Sequence, residues 1–256
     1  YRDKDGRTTL PFAMIGLART LKRLHGDPSV TLSERLSIAR QPDMLRALGV
    51  TVTVLAGAFS IYSYLTPFLQ QTSGLGENAI AAVLFLFGLG SAVGNFSSGA
   101  LTDRYGGDRV VRTVLFTLTV VFTALALSGQ FLHGETARWV IIPLIGIWGF
   151  VGWSFPAAQQ SRIVALAPRL APVSLSLNSS AIYLGVSSGA FLGSLVGAQV
   201  SFAGVPWIGV VCEMAALTIL MAFPVRRAPA NSTDAARPIP TAAAAPELQV
   251  SPSLDL

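Results

Sequence analysis

Charge is scarce in this chain. Aspartate, glutamate, lysine and arginine make up 12% of its 256 residues, against about 25% in an ordinary soluble domain. The scarcity is also uneven. No charged side chain lies between Arg46 and Glu77, Glu77 and Asp103, Arg112 and Glu135, Arg138 and Arg162, or Arg169 and Glu213. Cysteine is nearly missing too: Cys212 stands alone, which excludes a disulfide within the chain. The two histidines, His25 and His133, have no cysteine or acidic cluster beside them, so no metal site is expected. Nothing resembles a nucleophile with its base or a phosphate-binding loop, which argues against an enzyme and against a bound cofactor.

Hydrocarbon fills the space that charge leaves. Hydrophobic residues account for 52% of the chain, and the mean hydropathy is +0.57. Each charge-free run reaches the roughly 20 residues that cross a bilayer as a helix. The longest, after Arg169, is divided by Ser201-Phe-Ala-Gly-Val-Pro206, a Gly/Pro turn. The predicted fold is therefore all-α and integral to the membrane. Its six transmembrane helices are expected over 47–69, 79–101, 113–132, 140–160, 173–198 and 207–223. The bundle occupies 46–225. Residues 1–45 read as a cytoplasmic linker, in which Ser33–Arg40 forms either a surface amphipathic helix or a solvated one. Residues 226–256, rich in Ala, Pro, Ser and Thr, read as a disordered cytoplasmic tail.

The net charge of +5 does not point to nucleic acid, because the basic residues fall at span ends and not on one polar face. Arg46, Arg104, Arg109, Arg112, Arg162, Arg169, Arg226 and Arg227 collect at one end of the spans, and Arg138 alone lies at the other. By the positive-inside rule the arginine-rich end is cytoplasmic, with both termini on that side.

The charged hairpin Gly99-Ala-Leu-Thr-Asp-Arg-Tyr-Gly-Gly-Asp-Arg-Val-Val-Arg112 is expected as a tight turn between two spans. It resembles the signature loop of the major facilitator superfamily, G-x-L-a-D-r-x-G-r-r, with Gly99, Leu101, Asp103, Arg104, Gly106 and Arg109 in matching places. Gly107 and Asp108 depart from the paired basic residues of that pattern. Four further segments extend the likeness: Tyr62–Leu69, Gly90–Gly99, Phe155–Pro168 and Ser174–Gly185. Together, over about Val30 to Val225, they look like the carboxy-terminal half of the drug:proton antiporter branch, of the sugar, nucleoside and multidrug efflux type. The resemblance implies six of twelve helices and a second, amino-terminal six-helix half as partner. It also implies substrate held between the halves, alternating access, and a bacterial inner membrane. The expected function is half of a proton-coupled efflux permease, truncated or split, exporting small amphipathic molecules, drugs or sugars. The alternative is a non-transporting scaffold or inactive remnant. Membrane lipid, a small-molecule substrate and a proton are the expected partners, with no nucleic acid.

Site candidates follow in part from that likeness. The resemblance makes Asp103 a latch that engages a helix amino terminus of the opposite half, with Gly99, Arg104, Gly106 and Arg109 forming the gating loop around it. Asn95 is read as buried in the bundle, either as structural glue or as part of the gate. The helices that line the cavity in this superfamily correspond here to the first, second, fourth and fifth spans. Tyr62, Tyr64, Trp148, Asn178 and Tyr183 are the candidate substrate contacts, the other reading of the aromatics being interfacial anchoring or packing. On the fourth span Gly149, Trp153, Pro156 and Gln160 form a helical stripe. Gly185, Gly189, Gly193 and Gly197, like Gly90 and Gly94, make small-residue ridges, either for plain packing or for sliding against a second bundle. Glu213 lies inside the last span. It is read either as a proton-coupling group or as a structural residue.

Overall fold

The computed structural model describes Ser37 and residues 40–222. The linker reading for residues 1–36 and the tail reading for 226–256 lie outside the described residues. Among the described residues the α-helices with stated bounds are, in order, α1 (Pro42–Tyr62), α2 (Leu65–Ser73), α3 (Glu77–Tyr105), α4 (Gly107–Phe131), α5 (Gly134–Trp153), α6 (Phe155–Leu166), α7 (Ala171–Gln199) and α8 (Pro206–Ala222). No strand occurs among the described residues. Among the described residues six stretches are long and apolar enough to cross a membrane, which agrees with the number read from the charge-free runs.

Two spans are broken where the sequence suggested single helices. Proline explains both. Its ring clashes with the carbonyl four residues earlier and its nitrogen donates nothing. Pro67 disrupts the turn at Ser63, so α1 stops at Tyr62 and α2 restarts at Leu65. Pro156 sits in the first turn of α6, immediately after the break at Ser154. Ser98 on α3 braces that second break by donating to the Ser154 carbonyl at 2.8 Å.

The charged hairpin is shorter than expected. Helix α3 runs through Tyr105 and α4 begins at Gly107, leaving Gly106 as the whole connection. Gly106 has φ 81°, a conformation that a side chain would strain. Gly99, Asp103 and Arg104 therefore ride on the last two turns of α3 and not in a loop. Gly107 serves contact: a Cβ there would lie 2.9 Å from the Ala158 carbonyl oxygen, so α4 begins directly against α6.

The glycine ridges are spent inside the bundle. Gly185, Gly189 and Gly193 of α7 face the backbone of Val52, Ala56 and Ser60 on α1, and Gly90 and Gly94 of α3 face Gly146 and Phe150 on α5. The sliding reading placed these faces against a second bundle. They are instead buried internal seams, where small residues let backbones approach and gain dispersion contacts. Helix α8 packs on α1 and α4. Leu115, Leu118, Phe122, Ile141, Ile145 and Trp148 centre the core. Phe85, Phe96, Phe116, Trp139 and Phe191 point outward. This is an apolar exterior suited to hydrocarbon. At the arginine-rich end, Met44, Ala47 and Ile163 form a second small core that ties the starts of α1 and α7 to the end of α6.

Candidate functional site

Between α1, α3, α4, the broken α5–α6 pair and α7 lies a cavity of about 460 Å³. Its walls are chiefly hydrocarbon and aromatic: Phe59 and Tyr62 from α1, Phe87 from α3, Trp148 and Trp153 from α5, Phe155 from α6, and Ile182 and Val186 from α7. The rings hold one another. Trp148 is 2% exposed and meets Phe87 at 5.0 Å, Phe122 at 5.3 Å and Tyr62 at 6.4 Å between centroids, while Tyr62 and Phe87 lie 5.3 Å apart. Edge and tilted contacts of this kind fix the ring planes. The cavity thus presents rigid aromatic faces, and none of its lining residues is charged.

Besides the Tyr62 hydroxyl and the indole N–H groups of Trp148 and Trp153, the polar side chains of the wall are Thr51, Gln159 and Asn178, all three buried. Gln159 Nε2 donates to the Ala47 carbonyl at 2.7 Å and to Thr51 Oγ1 at 3.1 Å; Thr51 donates to Asn178 Oδ1 at 2.9 Å. From the other side Arg162, 7% exposed, donates from Nη1 to Gln159 Oε1 at 2.6 Å and from Nε to Asp108 Oδ1 at 2.6 Å. One chain of hydrogen bonds therefore joins the start of α4 to the cavity through α6, α1 and α7. Asp108, which broke the signature pattern, supplies the ion-pair partner of Arg162.

The sequence candidates divide cleanly. Tyr62, Trp148 and Asn178 line the cavity. Tyr64 does not: its ring stacks on Phe202 at 5.7 Å and its hydroxyl donates to the Ala190 carbonyl at 3.2 Å, fastening the helix break to α7. Tyr183 also lies outside the cavity, 73% exposed on the outer face of α7. Asn95 is exposed, not buried, because the inward face of α3 at that level is held by Gly94 and Ser98. Asp103 and Arg109 are exposed, and Asp103 makes no ion pair among the described residues. The Arg104 guanidinium lies 5.4 Å from the Tyr105 ring centroid. Glu213 is fully buried, and neither carboxyl oxygen has a hydrogen-bond partner among the described residues. It belongs to the face of α8 that packs inward and is absent from the cavity wall.

Thr51, Gln159, Arg162 and Asp108 were missed as site residues. The stripe on the fourth span named Gln160, which is exposed. That stripe assumed one unbroken helix, and the break at Ser154 resets the angular phase so that Gln159 turns inward. The available signal was Pro156 itself, which marks the break.

The profile of the Major Facilitator Superfamily matches residues 47–252. An uncharacterized MFS-type transporter of Bacillus subtilis (strain 168), YbcL, is 30% identical over 205 residues, covering 80% of this chain and 51% of that protein. The chain thus spans about half the length of the curated relative it matches.

Proposed function

This chain belongs to the major facilitator superfamily, a family of multi-pass membrane transporters, and on that footing we propose that it is one half of a proton-coupled efflux permease. In this reading the cavity among α1, α3, α5, α6 and α7 is one wall of a substrate chamber. A second six-helix bundle forms the opposite wall, and substrate leaves by alternating access as the two bundles rock. The observation that carries the proposal is the composition of the wall: rigid aromatic faces, no charge, and few polar side chains. Such a surface suits small amphipathic molecules better than sugars, which need many hydrogen-bonding partners around the ring.

The arginine-rich end faces the cytoplasm of a bacterial inner membrane in this reading. Asp103, exposed there on the last turn of α3, is the latch that engages a helix amino terminus of the second bundle. Such a contact is worth about 0.3–2 kcal/mol, enough to bias a two-state equilibrium without locking it. Glu213 remains the candidate proton-carrying group, and its separation from the cavity wall requires coupling through α1 or α4.

The test uses everted membrane vesicles from cells expressing this chain together with a second six-helix bundle of the family. The expected result is respiration-dependent uptake of an amphipathic dye such as ethidium, collapsed by a protonophore and weakened by Trp148→Ala. Uptake no greater than in vesicles lacking the chain refutes the proposal.

A further inference from the structure

The hydrogen-bond chain that ends in the cavity has a direction, and its direction fixes what the cavity can recognise. A guanidinium only donates. Arg162 Nη1 sits 2.6 Å from the Gln159 side chain, so the atom it meets must be the amide oxygen. The other end of Gln159 is fixed independently, because it lies 2.7 Å from the Ala47 carbonyl, which only accepts. Gln159 therefore presents Nε2 to Thr51 at 3.1 Å, and the Thr51 oxygen must accept that bond.

The single Thr51 proton is left to be placed. Two acceptors compete for it: Asn178 Oδ1 at 2.9 Å and the Ala47 carbonyl at 3.4 Å. The Ala47 oxygen lies at the outer limit of a hydroxyl bond and already takes the Gln159 proton. The shorter bond wins, so Thr51 donates to Asn178. Asn178 is then held by its oxygen. Its amide nitrogen, with two protons, has no hydrogen-bond partner among the described residues. The residue lines the cavity, and its nitrogen is not one of the sealed, unpartnered side-chain atoms, which are Thr102 Oγ1 and the two Glu213 oxygens.

We propose that the Arg162–Gln159–Thr51 relay sets Asn178 as a hydrogen-bond donor to the cavity, so that the site selects uncharged, apolar or aromatic ligands carrying an acceptor at that wall and rejects those carrying a donor there. The proposal rests on the reading of the cavity as the substrate site. Asn178 is the recognising residue; Thr51 and Gln159 are positioning residues that determine which end of its amide faces the ligand, and Arg162 reinforces the Gln159 orientation that the Ala47 carbonyl also fixes. The ion pair with Asp108 holds the head of the relay at the arginine-rich end, 2.6 Å from Arg162 Nε.

Three bicyclic aromatics of similar size separate the outcomes: quinoline presents only an acceptor, indole only a donor, and naphthalene neither. Binding to the full chain in lipid nanodiscs is measured by equilibrium dialysis at pH 7.5, each probe corrected for its partition into empty nanodiscs. The expected order is quinoline above naphthalene above indole, with quinoline favoured over naphthalene by roughly two- to tenfold, the worth of one neutral hydrogen bond. Asn178→Leu should abolish the preference for quinoline over naphthalene. Thr51→Val should raise indole to or above naphthalene, because Asn178 is then free to turn its oxygen inward. A loss of stability alone would weaken all three probes together and leave their order intact. Equal, saturable binding of quinoline and indole to the wild-type chain overturns the inference and leaves the cavity as a binding site. So does an unchanged order in Thr51→Val. No saturable binding of any probe overturns the reading of the cavity itself, and the inference with it.

Discussion

The seam between α1 and α7 offers a perturbation whose size follows from the geometry. A Cβ added at Gly189 would lie 2.9 Å from both the Cα and the carbonyl carbon of Ala56, and nearer still to the Ala56 oxygen. These are backbone atoms, so no side chain can swing aside. Carbon atoms rest about 3.5–4.0 Å apart, so Gly189→Ala must push the two helices apart by roughly 0.6–1 Å. A gap of that size forfeits a quarter to a half of each atomic contact of about 0.1–0.2 kcal/mol; over on the order of 40 contacts along the stripe, the cost is about 1–4 kcal/mol. The range overlaps the usual ~1–3 kcal/mol penalty for overpacking. The same separation strains the 2.9 Å bond between Thr51 and Asn178, which spans these two helices. Gly88→Ala provides the control of opposite sign. A Cβ there meets nothing within 4 Å, and removing a helical glycine gains up to about 1 kcal/mol. Unfolding by SDS in mixed micelles, followed by tryptophan fluorescence, reads both variants. Gly189→Ala should unfold at lower SDS than wild type and Gly88→Ala at equal or higher SDS. A Gly189→Ala protein as stable as Gly88→Ala would refute the close-approach argument.

Trp148→Ala should cost about 3–5 kcal/mol, because Trp148 is buried among Phe87, Phe122 and Tyr62; Trp148→Phe, which keeps an aromatic face, should cost less in the same SDS titration. Arg138→Ala removes the donor that meets the Ser73 carbonyl at 2.9 Å and the Gly74 carbonyl at 3.3 Å. It should speed hydrogen exchange of the α2 carboxy-terminal turn, for a loss of about 1–2 kcal/mol at a half-exposed site; unchanged exchange over residues 70–76 would show that the guanidinium does not cap that end. Asp103→Asn, in a chain expressed with its second bundle, should impair dye export at matched membrane abundance, and equal export would remove the latch role. In a Cys212→Ser background, cysteine at Tyr105 should react with an impermeant maleimide only from the cytoplasm and cysteine at Glu135 only from outside; the reverse pattern would invert the orientation.

The number of spans and their approximate places were legible in the sequence, because charge is too costly in hydrocarbon to be scattered at random. Runs such as 78–102 and 113–134 mark the membrane by what they exclude. Tyr62, Trp148 and Asn178 were legible as candidates because the likeness to the superfamily pointed to their spans and a polar or amphipathic group inside an apolar run stands out. Other features depended on angle and on distance across the bundle, and neither has a signal in one dimension. Pro67 and Pro156 announced a disturbance, but only the folded chain showed that each break resets the helical phase, exchanging Gln160 for Gln159 and taking Tyr64 out of the cavity. The glycine ridges announced close approach without naming the partner, and tertiary structure assigned them to α1 and α5. Asp108 looked like a defect in a loop until Arg162, 54 positions along the chain, was brought within 2.6 Å of it. Local composition determines whether a segment enters the bilayer, because that depends on the transfer energy of its own residues. Which groups meet inside the bundle is decided by helix phase and crossing, and those are set by all the helices at once.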